Sequence, residues 1–120
     1  MNDKDLLELA AKAAGIRCDL SEPSLITGAR HQCFFDADGY QFGWNPLESD
    51  GDALRLAVKL DIEFYQGDDD GPSVYAGYWS KPERRDVTRL FAVEPISGDP
   101  YAATRRAIVR AAAEIGKGME

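Results

Sequence analysis

The sequence predicts an α+β domain: a three-layer α-β-α sandwich on a mainly antiparallel sheet of about five strands, with three helices. Three observations carry this. Apolar residues recur at helical spacing in three separate stretches, each preceded by a capping residue. Short runs of strand-forming residues are joined mostly by brief turns, which favours antiparallel neighbours. The chain has 120 residues, 44% hydrophobic and 29% charged, which is the usage of one globular domain spanning 1–120. A chain of this size buries roughly two-thirds of its unfolded surface, enough for a core without a metal or disulfide.

The first helix is expected over Asp3 to Ala14. Asn2 caps it, Asp3 and Asp5 sit at the positive end of the dipole, and Leu6, Leu9, Ala10 and Ala13 make the apolar stripe. Gly15 suits the left-handed position after its end. Arg17 to Arg30, broken by Pro23 and Gly28, reads as a loop holding a short strand or irregular edge. Gln32 to Phe35 and Tyr40 to Trp44 read as a hairpin turning at Asp36-Ala37-Asp38-Gly39.

A second helix is expected from about Asp52 to Leu60, capped by Ser49 or Asp50, with Ala53, Leu56, Ala57 and Leu60 facing inward. Strands follow at Ile62 to Tyr65, Val74 to Trp79 and Thr88 to Val93. They are separated by the acidic loop from Gly67 to Pro72 and the turn Lys81 to Arg85. In the last helix Asp99 caps, Pro100 takes the first position and Gly116 is expected to stop it; Ile108, Ala111, Ala112 and Ile115 form its buried stripe. Three amphipathic helices need the sheet as a partner, and two on one face with one on the other give the three layers.

The net charge is −7, which opposes direct binding to nucleic-acid phosphate. No apolar run reaches the length of a membrane span, and the Met-Asn-Asp-Lys-Asp start lacks a signal peptide's features, so a cytoplasmic protein is expected. Cys18 and Cys33 are too few for a disulfide framework and read as packing thiols.

Catalytic chemistry finds little support. His31 is the only histidine, and with Cys33 it makes at most a strand-edge pair without an orienting third group. Structural zinc wants four ligands at familiar spacings, and these two residues do not supply them. Asp68-Asp69-Asp70-Gly71 suggests calcium, but the position that should hold the closing glutamate is Trp79, so a solvated turn is the better reading. Neither phosphate-binding glycine motif is present. No catalytic residue, metal or cofactor is therefore expected.

The most suggestive group is cationic. Arg106 and Arg110 lie four apart on one face of the last helix, with Arg105 beside them, and like charges at this spacing repel. Either the protein's own carboxylates answer them, the plainer reading, or an external anion does, gripped by planar guanidinium forks. Trp44, Tyr65 and Trp79 are able to stack on a base, though core packing is the default for such rings. With Asn45 these residues complete the candidate ligand-binding set. Arg84 and Arg85 add a basic doublet elsewhere.

Trp44-Asn45-Pro46, followed by acids and a helix, and the stretch Asp99-Pro100-Tyr101-Ala102-Ala103-Thr104-Arg105-Arg106-Ala107-Ile108 resemble the phage ABA-sandwich domain family. These are small proteins of tailed phages and prophages. The resemblance implies an α-β-α sandwich and, for most members, no assigned activity. Some small phage proteins of similar build act as sponges that sequester cyclic ADP-ribose isomers or cyclic oligonucleotides made by bacterial defence systems such as Thoeris. The leading expectation is thus a non-enzymatic anti-defence protein that captures a small phosphorylated nucleotide in the host cytoplasm, often at the joint of a homo-oligomer. The alternatives are an acidic protein-interaction module that inhibits a host defence protein by mimicking nucleic acid, and a phage structural or accessory protein.

Overall fold

The computed structural model describes residues 1–68, 71–79 and 89–119. Its elements run α1 (Asp3–Ala14), β1 (Arg17–Leu20), β2 (Gln32–Phe35), β3 (Gln41–Phe42), α2 (Asp50–Leu60), β4 (Glu63–Gly67), β5 (Ser73–Trp79), β6 (Arg89–Pro95) and α3 (Pro100–Lys117). The α+β class and the three helices match expectation. The sheet does not: the strands form two three-stranded antiparallel sheets, β1-β2-β3 and β4-β5-β6, where one of about five was expected.

The division follows from α1, which is apolar on two sides. Leu6, Ala10 and Ala14 join the main core with α2, α3 and the second sheet. Leu7 and Ala11 instead pack with Phe34 of β2, ringed by Ile16, Cys18, Phe42, Trp44 and Leu47. The first hairpin is therefore held on α1 and does not extend the other sheet. In β5 the alternate residues Val74, Ala76 and Tyr78 are buried against the helices. Tyr65, Phe91 and Val93 of the neighbouring strands lie on the opposite face and are exposed. A second helical layer does not cover that face among the described residues.

Local sequence explains the ends of the elements. Asn2 Oδ1 accepts from Asp5 N at 2.8 Å, and Gly15 takes φ 76° after α1. Asp36 Oδ1 accepts from the amides of Asp38 and Tyr40 and shapes the hairpin turn, with Gly39 at φ 88°. Ser49 is the cap of α2, and its hydroxyl accepts from Asp52 N. Asp99 Oδ1 accepts from both Tyr101 N and Ala102 N.

One glycine has a different role from the expected one. Gly116 lies inside α3, which ends at Lys117 with Gly118 as its cap. A Cβ on Gly116 would sit 2.1 Å from Leu9 O, so its missing side chain is what lets α1 and α3 approach backbone to backbone. Ala112 and Ala113, one turn earlier on the same side of α3, are buried as well. The expected turn Lys81 to Arg85, the doublet Arg84 and Arg85, and Asp69 and Asp70 of the acidic loop lie outside the described residues.

Candidate functional site

The three arginines of α3 project toward three neighbouring elements, and each meets an acceptor of the protein's own. Arg105 donates from Nε to Leu47 O at 2.8 Å and from its NH1 nitrogen to Asp50 Oδ1 at 2.7 Å. Its side chain is only 17% exposed. Arg106 reaches Asp3 Oδ1 at 2.9 Å and Glu94 Oε1 at 3.4 Å. Arg110 bonds Glu94 Oε2 and, at 2.8 Å, the carbonyl of Val93. Glu94, with a side chain 16% exposed, thus answers both members of the pair whose spacing implied an unmet repulsion. Sequence reasoning missed Glu94 because a lone glutamate late in a strand carries no local signal.

Of the other predicted site residues, Asn45 sits in the turn that Arg105 holds, and the rings lie elsewhere. Trp44 packs edge-to-face on Phe34, with centroids 5.0 Å apart. Asn45 is a turn former: its Oδ1 accepts from Leu47 N at 3.1 Å and its amide donates to Asp52 Oδ2 at 2.9 Å. Arg105 ties this turn to α3, so the two stretches that carry the family resemblance meet through a fold-building contact. Tyr65 and Trp79 lie on the outer face of the second sheet. The predicted set is therefore divided among three places, and the guanidinium groups do not converge with the rings.

That outer face has its own organisation. Antiparallel register aligns Tyr65, Tyr75 and Val93 in one row, Glu63, Gly77 and Phe91 in the next, and Trp79 with Arg89 beyond. The rings of Tyr65 and Tyr75 stack at 5.3 Å with 10° between planes, and Phe91 meets Tyr65 edge-on at 6.3 Å. Two glycines leave room for this. A Cβ at Gly67 would stand 2.8 Å from the Tyr75 ring, and one at Gly77 would stand 2.9 Å from Arg89 Nε and 3.0 Å from Phe91. The Tyr75 ring, the Phe91 ring and the Arg89 side chain thus occupy the space that a side chain at these positions would take. Arg89 lies over Trp79 at 4.8 Å and donates to Gly77 O, and Trp79 Nε1 donates to Asp61 Oδ2 at 3.2 Å. Tyr65 and Phe91 are each 47% exposed and Val93 is 40% exposed.

On the inner side of β4 a groove of about 420 Å³ opens between α2, β4 and the start of α3. Leu54, Phe64, Tyr101 and Ile108 make it apolar, with Gln66 and Arg105 at its polar margin.

Burial, reinforced by Glu8 and Asp19, pushes the Cys18 thiol above its ordinary value, and away from the reactive thiolate. Among the described residues there is no group of three or more His, Cys, Asp or Glu side chains able to hold a metal ion. No helix among them is long and apolar enough to cross a membrane. No family model, curated protein or solved structure matches the chain.

Proposed function

We propose that the chain is a non-enzymatic protein-interaction module whose working surface is the second sheet, and that it binds a basic partner. The observation that carries this is the outer sheet face, where Tyr65, Phe91 and Val93 stand exposed side by side in a body of net charge −7. Clustered exposed aromatics beside few charges are the composition of a protein-docking surface. The overall charge of −7 attracts basic partners to the body that carries it. The resemblance to phage ABA-sandwich proteins makes a host defence protein, met in the bacterial cytoplasm, the natural candidate.

Capture of a small phosphorylated nucleotide, with or without a homo-oligomer, is the second reading. The groove beside Arg105 favours it, while the internal partners of Arg106 and Arg110 weigh against it. Immobilised wild-type protein and the double variant Tyr65→Lys, Phe91→Asp, each exposed to host lysate at low and high salt, separate the readings. A basic protein retained at low salt by the wild type alone supports the proposal. Identical retention by both proteins refutes it.

A further inference from the structure

The two edges of the second sheet are not alike. On β6 the carbonyl of Val93 is taken by Arg110, and Pro95 stands at the strand's end. Both devices discourage pairing with another strand. On β4 the sequence Glu63-Phe64-Tyr65-Gln66-Gly67 contains no proline and no lysine. Among the described residues, none of the main-chain groups β4 turns away from β5 has a partner. Main-chain N–H and C=O groups at an edge are a template for one more strand.

The alternation of β4 gives this edge two distinct sides. Phe64 and Gln66 line the groove with Leu54, Tyr101 and Ile108. Glu63 and Tyr65 belong to the outer face with Phe91. A strand laid along β4 sends alternate side chains to these two sides. One set enters an apolar hollow. The other lands beside the Glu63 carboxylate and the Tyr65 ring. Among the described residues cations already rest on rings, Arg17 over Phe35 at 4.2 Å and Arg89 over Trp79 at 4.8 Å. Such a contact is most favourable where acid is near and water is partly excluded.

We infer that β4 binds its partner by strand addition, and that the occupant is an extended segment of another protein alternating apolar and basic residues. This rests on the interaction reading above and specifies its geometry. Charge selects the occupant: a body of −7 attracts a basic segment, whereas a second copy would bring a second −7 to the same edge and offer the acid of its own Glu63. At roughly 3.3 Å per residue, five residues of partner match the length of β4.

The test uses isotope-labelled protein and a blocked hexapeptide alternating valine and arginine, with twins methylated on one or the other set of alternate backbone nitrogens. The expected result is slowing of amide exchange within residues 63–67 by about tenfold or more, as ladder hydrogen bonds form. One methylated twin should bind at least about tenfold more weakly, because its side chains are intact and its donors are gone. Leu54→Lys and Glu63→Lys, surface substitutions checked for folding by circular dichroism, should each weaken binding about tenfold. If the peptide perturbs Tyr65 and Phe91 without protecting β4, strand addition is overturned while the interaction module stands. Protection of β4 at high protein concentration without peptide also overturns it, because the occupant is then a second copy. Absence of any protection at millimolar peptide overturns it as well, and if the lysate experiment also retains no salt-sensitive partner, both readings fall.

Discussion

Replacing Gly116 by alanine sets two opposed effects against each other. Alanine in a helix interior is favoured over glycine by about 1 kcal/mol, so propensity alone makes the variant more stable. The new methyl carbon, however, would stand 2.1 Å from Leu9 O and 2.9 Å from Leu9 C, both main-chain atoms of α1. Ordinary contact is closer to 3.5 Å, so α1 and α3 must separate by something over ~1 Å along their most extensive contact. Overpacking of a rigid core costs about 1–3 kcal/mol, and here the obstacle is backbone that has no rotamer to change. The net expectation is destabilisation of about 2 kcal/mol, read as a lower urea midpoint by far-UV circular dichroism. Gly118→Ala is the control, since Gly118 has φ −79° and its nearest contact would be an ordinary 3.6 Å; that variant should be neutral or slightly stabilised. If Gly116→Ala is as stable as the wild type, the close approach of the two helices is wrong.

Two further tests concern the carboxylate and the phenol beside Arg110. Glu94→Gln keeps the shape but removes the charge that meets Arg106 and Arg110, and should cost about 1–3 kcal/mol in urea unfolding at neutral pH, less at high salt. Tyr78 is buried, and burial chiefly, with Glu114 adding and Arg110 opposing, raises its pKa above the ordinary 10.0. The unfolded chain then loses the phenol proton first, so this stability is intact below pH 10 and is lost as pH rises toward the folded value. A urea midpoint that falls above pH 10 in the wild type should fall less in Tyr78→Phe.

The helices were legible because each advertises itself locally. Asn2, Ser49 and Asp99 cap where expected, and Gly15 closes α1 in the left-handed region. The hairpin turn at Asp36 to Gly39 was equally readable from its aspartate and glycine. What the sequence concealed is long-range. Gly116 looks like a helix stop because glycine usually is one, and only the position of Leu9 shows it to be a packing residue. Leu7 and Ala11 lie beside the expected stripe of α1, and their use as a second apolar side is what divides the strands into two sheets. The spacing of the arginine pair pointed to an anion without saying which, and Glu94 comes from a strand twelve and sixteen positions away. The exposed face of Tyr65 and Phe91 was not readable either, since rings on alternate strand positions look the same whether they face core or water.

The double-sided use of α1 leaves the molecule with unequal partners in stability. Phe34 is the one buried residue in the first three strands, whereas α3 alone buries nine. A small apolar anchor of this kind gives way long before a large one. The hairpin should therefore come loose and reseat many times for each global unfolding event, making that corner the place where the chain best tolerates grafted or exchanged sequence.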